Sequence, residues 1–225
     1  MKVAIHQPDY LPWLAYFDKM KRADLFVFLD CAQYTKNGFH NRNKIKVSNG
    51  WTYLTIPIQK SEHFKDMNKV CLPQDKAWQQ EHYKSIATAY SNAPHFGEHQ
   101  EFFKKLYLDD NQFLAEMDIK IITYLKEAFG LKAKLVRESE LDIDHSLKKT
   151  ERLIAILQAV KATEYLSGPS GETYMDLEQF KKAGIAVSFQ HYSHPKYKQM
   201  FGEFLPGLSI IDLLFNEGGS GGEMI

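Results

Sequence analysis

The period of the apolar positions changes repeatedly along the chain. Val3-Ala4-Ile5 is a short unbroken apolar run that stops at His6-Gln7-Pro8-Asp9-Tyr10-Leu11-Pro12-Trp13. A helical pattern follows, and a second apolar run from Leu25 to Leu29 ends on Asp30. This reads as strand, loop, helix, strand, the opening βαβ unit of an α/β domain. Beyond it, Asn37-Gly38 marks a turn, Ile45-Lys46-Val47 alternates, Ser48-Asn49-Gly50 turns again, and Trp51 to Ile58 returns, so a hairpin is expected. Asn68 to Leu72 offers one more short strand.

Residues 75–91 and 98–129 carry helical periodicity, the second through Phe103, Leu106, Phe113, Met117, Ile121 and Leu125, with Gly130 placed to end it. The α/β rhythm then resumes. Lys134-Leu135-Val136, Glu164 to Ser167 and Ile185 to Phe189 read as strands, and Thr150 to Val160, Asp176 to Ala183 and the apolar stretch Ser209 to Phe215 as helices. The predicted fold class is α/β: a mostly parallel, Rossmann-like sheet flanked by helices, with an inserted β-hairpin and a helical subdomain over about residues 75–130. One domain is expected over 1–217, followed by a flexible Gly-rich tail, 218–225.

Composition narrows the function classes. Lysine plus arginine equals aspartate plus glutamate at 28 each, so bulk charge gives no reason to expect a nucleic acid partner. No apolar stretch approaches the length of a membrane span, and Met1-Lys2 leads directly into a strand with no signal-peptide pattern. Cys31 and Cys71 form no CxxC and suit a thiol-reducing compartment. A cytoplasmic protein acting on a small-molecule substrate is therefore expected; nothing fixes an oligomeric state. The 15 Phe, 12 Tyr and 3 Trp, many of them in loops, suit the walls of a small-molecule pocket.

In parallel sheets the carboxyl ends of the strands face the ligand crevice, which directs attention to His6, Gln7 and Asp30. His6 exchanges a proton at cellular pH, Gln7 donates and accepts, and Pro8 and Pro12 stiffen the loop between them. Asp30 is placed to orient the imidazole or to bind a substrate amine, or simply to cap a turn. Lys36, His40, Asn41, Arg42, Asn43 and Lys44 concentrate cations and amides in one segment, an anion clamp or a solvated hairpin, with Arg42 and Asn43 as its main candidates. Ser167-Gly168-Pro169-Ser170-Gly171 follows a strand and suits close approach to an anion, although it is neither a P-loop nor a nucleophile elbow. Trp13, Tyr34 and Tyr192 would wall the pocket, and Tyr10 and Gln199 join the substrate-binding set. His191 and His194 lack the ligand string of a metal site, so no metal is expected. His6, Arg42 and the Gly168 bend are expected to meet around one hollow.

Taken together and in order, His6-Gln7-Pro8-x-Tyr10-x-Pro12-Trp13, Gln33-Tyr34, Asn41-Arg42-Asn43, Tyr165-Leu166-Ser167-Gly168 and Leu208 to Asn216 with Gly218 resemble the WbqC-like family over residues 3–218. The resemblance implies a context of surface-polysaccharide (O-antigen) synthesis and a glycyl-type acyl or aminoacyl transfer onto an amino sugar nucleotide. His6 would then be the general base, and ATP or a nucleotide-activated donor the only cofactor such chemistry calls for. Two alternatives stay open: a non-catalytic ligand-binding or scaffold component of glycan assembly, and a nucleotidyltransferase-like enzyme, since a histidine after strand one resembles the start of a HIGH motif whose second histidine is absent here.

Overall fold

The computed structural model describes residues 1–36 and 38–225; the Asn37 half of the expected Asn37-Gly38 turn lies outside the described residues. The chain forms two compact units, each assembled from separate stretches of sequence. The first comprises 1–7, 18–32 and 132–193, and the second 8–17, 33–131 and 194–225.

Unit 1 is built on a five-stranded sheet of β1 (Lys2–His6), β2 (Leu25–Phe28), β5 (Lys134–Arg137), β6 (Glu164–Ser167) and β7 (Ala186–Phe189), ordered β5-β2-β1-β6-β7. Every pairing is parallel. β1 is central and buried on both faces, with Val3, Ala4 and Ile5 at most 4 % exposed, which is why its sequence reads as a continuous apolar run rather than an alternation. On one face Val3, Ile5, Leu25, Val27 and Tyr165 pack with Leu153, Ile156 and Leu157 of α5 (Lys149–Ala159) and Phe180 of α6 (Leu177–Lys182). Each such side chain taken fully out of water contributes about 1.5–3 kcal/mol. Gly184 at φ 72° ends α6 with a paired C-terminal motif, Gly184 N–H to Lys181 O and Ile185 N–H to Phe180 O. The expected parallel α/β sheet is therefore present.

Unit 2 holds the antiparallel hairpin β3 (Arg42–Val47) and β4 (Gly50–Thr55), which is a separate two-stranded sheet. With it are α2 (Ala77–Tyr90), α3 (Phe96–Leu108), α4 (Leu114–Ala128) and α7 (Ile211–Glu217). The remaining helix, α1 (Leu14–Lys21), contributes residues to both units. The helical region is thus not a body by itself; it shares a unit with the hairpin and the C-terminal segment.

Three local expectations differ from the structure. The long helix expected over 98–129 is two helices, broken at Asp109-Asp110-Asn111. Such side chains bond to nearby backbone and favour helix ends, and Asn111 Nδ2 donates to Leu106 O at 2.8 Å. Residues 67–69 form a 3-10 turn, and only a single bridge, Cys71 to Phe113, remains of the strand expected near Leu72. The Gly-rich end is no loose tail: residues 218–223 form a 3-10 segment with Gly218, Gly221 and Gly222 buried. A Cβ on Gly222 would lie 2.3 Å from Phe129 O, so glycine here serves close approach rather than flexibility.

Candidate functional site

The strand order reverses direction on either side of β1, so the switch point of the sheet falls between β1 and β6, where ligands of open parallel sheets bind. A pocket of about 230 Å³ opens there, drawn wholly from unit 1. Ile5, His6 and Gln7 from the end of β1, Tyr165, Ser167, Gly168 and Ser170 from the end of β6 and beyond, and Lys19 from α1 line it; Leu29, Leu153 and Tyr174 complete the wall. The half-buried His6 ring lies with Nδ1 3.0 Å from Gln7 O. A carbonyl only accepts, so Nδ1 carries the proton and, in the neutral ring, Nε2 keeps the lone pair. Lys19 is 3 % exposed and its Nζ donates to Ile5 O at 3.2 Å. Ser167 is 2 % exposed, and its hydroxyl donates to Gly168 O at 3.1 Å. Gly171 presses on that serine: a Cβ there would sit 2.2 Å from Ser167 Oγ. Burial raises the Tyr165 and Tyr174 phenols above their ordinary range, so both remain protonated donors.

The segment after Gly168 is a short 3-10 turn, Pro169–Thr173, and the next helix begins only at Leu177. Its first amides are taken by Asp176, which accepts from Glu178 N and Gln179 N. Ser167, Gly168 and Ser170 accordingly meet the pocket through their own groups, not through a helix terminus.

Asp30 is fully buried just beyond β2 but does not line this pocket. Its carboxylate accepts from Arg137 Nε at 2.9 Å, Ser139 N at 2.9 Å and Ser139 Oγ at 2.7 Å. Beside it, the fully buried Glu138 accepts from Arg152 Nε at 2.6 Å and Nη2 at 2.9 Å. Oxygens of Asp30 and Glu138 and the Cys31 sulfur come within 4.8 Å of one another, close enough to share a cation. Two guanidiniums already compensate the two carboxylates, however, which leaves a cation little charge to meet. Tyr192 lies after β7, half-buried, with its phenol raised by burial and then by the nearby Asp18.

The other predicted residues belong to unit 2. Tyr10 is fully buried and bonds His82 Nδ1 at 2.7 Å and the Tyr107 hydroxyl. Burial lowers His82 to about 4, so the ring is neutral near neutral pH. Trp13 packs on Phe39 and Tyr16, and Tyr34 stacks on His63 with ring centres 5.8 Å apart. Asn41 Nδ2 donates to Ile56 O and Asn43 Nδ2 to Leu11 O, both at 2.7 Å, so the two amides tie backbone together. The Arg42 guanidinium stands 4.9 Å from the centre of the Tyr53 ring, and Lys36 is exposed. Gln199 accepts from Lys46 Nζ and Leu205 N and donates to Leu205 O. Unit 2 has a larger hollow, about 500 Å³ around Cys71 and Phe113. Its charged groups, Lys76 and Asp110, pair with each other at 3.0 Å, whereas the switch-point pocket presents an imidazole and an ammonium.

The profile of the WbqC-like protein family matches residues 7–223. The chain belongs to this family. An uncharacterized protein of Mycobacterium tuberculosis (strain H37Rv), Rv1507c, is 35 % identical over 219 residues, covering 96 % of this chain and 94 % of the relative. No solved structure matches. No helix among the described residues is long and apolar enough to cross a membrane. In this WbqC-like chain the start of the matched region, Gln7, lies at the pocket, and so does the Ser167-Gly168 bend.

Lys19, Tyr165 and Tyr174 are polar pocket residues that sequence reasoning missed, and Lys19 carries the most charge. It sits in the last turn of α1 beside the exposed Lys21, where a basic residue ordinarily complements the helix dipole. The one available signal was position: a helix that follows β1 in a βαβ unit must lay one face on the sheet, and Lys19 lies one residue before the buried Met20.

Proposed function

We propose that the switch-point pocket of this WbqC-like protein is the catalytic site of an acyl or aminoacyl transferase of glycyl type, acting on the amine of an amino sugar nucleotide in surface-polysaccharide synthesis. The carrying observation is His6: Nδ1 is held by the Gln7 carbonyl, which leaves Nε2 as the basic nitrogen in a small pocket at the sheet's ligand-binding edge. The family context supplies the substrate class.

In the reaction the acceptor nitrogen attacks the acyl carbonyl carbon. His6 Nε2 takes the proton the amine loses, the C–N bond forms, and the bond from carbon to the donor's leaving group breaks. Pocket size fits this division of labour. About 230 Å³ lies below the several hundred that surround a whole drug-sized ligand, so the reacting ends enter and the nucleotide remains outside. Asp30, engaged by Arg137 and Ser139, shapes the neighbouring strand end instead of steering His6.

The test is amide formation from an amino sugar nucleotide and activated glycine, read by mass spectrometry. The wild-type chain is expected to add one glycyl group, and His6→Gln to lower turnover by about 10²–10⁴ with an unchanged melting temperature. A binding protein without turnover, stabilised by the sugar nucleotide equally in both variants, would replace this reading with the non-catalytic one.

A further inference from the structure

We propose that the larger hollow of unit 2 is a binding site for a neutral polyhydroxylated ligand, a sugar in its pyranose form. The proposal is independent of the reaction assigned to the switch-point pocket.

The hollow, about 500 Å³, is of a size that holds a small organic molecule. It lies wholly within unit 2. Three stretches frame it: Cys71 to Gln74, then Lys76 and Gln79 around the start of α2, and Asp110 to Phe113 between α3 and α4. The frame is fastened before any ligand arrives. Cys71 and Phe113 form an antiparallel bridge. Leu72 N donates to Gln112 O and Leu114 N to Val70 O, both at 2.9 Å. Cys71 N donates to the Glu62 carboxylate, also at 2.9 Å. Walls fixed in advance lose little freedom when a ligand settles between them.

The lining chooses among ligand classes. Lys76 and Asp110 pair at 3.0 Å, so the two charged residues of the wall offset each other and no net charge draws an ion. Gln74, Gln79, Asn111 and Gln112 supply primary amides. Asn111 is committed, donating to Leu106 O and accepting from the Lys120 ammonium. Gln74 and Gln112 are exposed. Gln79 is 3 % exposed; its Nε2 donates to Asp109 O at 3.3 Å, while Oε1 meets no hydrogen-bond donor among the described residues. A buried acceptor in that state favours a ligand that brings a donor.

A primary amide sets a donor and an acceptor side by side, and each sugar hydroxyl is likewise both. Neighbouring hydroxyls therefore answer an amide on both counts. An anion such as sulfate offers acceptors only and leaves the Gln79 oxygen unanswered. A hydrocarbon leaves every amide of the wall unpaired. Leu72, Pro73 and Phe113 add apolar surface, suited to the C–H face of a pyranose ring.

Cys71 provides the readout. It is an exposed free thiol in the lining, so a ligand seated beside it shields it. Cys31 of unit 1, half-buried, serves as the internal reference. The full chain is alkylated with iodoacetamide, alone or with glucose, galactose, N-acetylglucosamine, sulfate or N-acetylglycinamide, and each cysteine is followed by peptide mass spectrometry. At least one of the three sugars is expected to slow modification of Cys71 saturably, about tenfold at ten times its Kd, with Cys31 unchanged. Gln112→Ala and Gln79→Met are each expected to weaken that sugar about three- to tenfold. Should Gln79→Met fail to fold, the wild type and Gln112→Ala, altered at an exposed position, still decide. The proposal is overturned if no sugar protects Cys71, if sulfate or N-acetylglycinamide protects it and the sugars do not, if both cysteines are slowed equally, or if the affinity is unchanged in every variant that folds.

Discussion

Buried carboxyls meet different company in the two units. Asp30 and Glu138 of unit 1 are held by guanidiniums. In unit 2, Asp9 and Glu62 meet His40 and Lys65, but Asp118 and Asp212 meet no guanidinium among the described residues. In unit 1, Glu138 is gripped by both Arg152 nitrogens and Asp30 by Arg137 and Ser139, so each buried charge meets its complement. In unit 2, Asp118 on α4 is fully buried, and neither of its oxygens has a hydrogen-bond partner among the described residues. Asp212 on α7 is bonded by the Tyr90 and Tyr197 hydroxyls, at 2.9 and 2.8 Å. Burial pushes Asp118 and Asp212 above the usual carboxylate range, and the nearby Asp9 pushes Asp118 further. The difference separates scaffolding from chemistry. Paired charges at the end of β5 hold a strand end in place, whereas burial without a guanidinium raises a carboxyl and disfavours its charged form. Neither kind lines the pocket beside β1.

Breaking a pair in unit 1 should have the largest effect. Arg152→Met leaves Glu138 buried without its guanidinium and is expected to lower stability by about 3–5 kcal/mol in denaturant titration at neutral pH. His145, 3.6 Å from the same carboxylate, should soften the loss when protonated at acid pH. A loss below about 1 kcal/mol would mean that the pair behaves like a surface bridge and the contrast fails.

Removing the carboxyl in unit 2 should act with the opposite sign. A carboxyl whose folded pKa is raised supplies stability that is complete below the unfolded value of about 3.9 and is lost as pH climbs toward the folded one. Asp118→Asn escapes that loss. Relative to wild type it should therefore gain up to about 1.4 kcal/mol per pH unit above pH 4, until the folded pKa is reached. Stabilities that run parallel for the two proteins from pH 4 to 8 would show that Asp118 ionises normally.

The smallest effect is expected from an exposed pair. Lys2 and Glu164 meet at 3.1 Å at the start of β1 and β6, each about one-third exposed. Lys2→Met should cost about 0.2–1 kcal/mol at low salt and almost nothing in 1 M salt, which sets the baseline against which the buried pair is judged.

Much of unit 1 was legible from sequence because its signals are local. The run Val3-Ala4-Ile5 announces a strand buried on both faces, and Gly184 announces the end of α6. His6 and Ser167-Gly168 were legible as neighbours at one pocket because strand ends in a parallel sheet share one edge. Asn41 and Asn43 looked equally chemical, yet their amides turn to Ile56 O and Leu11 O. Sequence does not say whether an amide answers a ligand or its own backbone. Gly218 to Gly222 read as a tail because composition carries no information about Phe129, which Gly221 and Gly222 approach closely, or about His95, which Gly218 approaches.

What the sequence by itself determined is the strands of the parallel sheet and the hairpin, their α/β rhythm, the family, and the residue types offered at the first strand's end. All of these depend on residues near one another in the chain, where hydrophobic period and turn chemistry act directly. Only the tertiary structure decided which side chains keep company. It drew Lys19 into the pocket, matched Glu138 with Arg152, left Asp118 without a hydrogen-bond partner among the described residues and sorted the chain into two units. Burial and pairing are properties of neighbours in space, and the free energy of a charge depends on those neighbours far more than on its own place in the sequence.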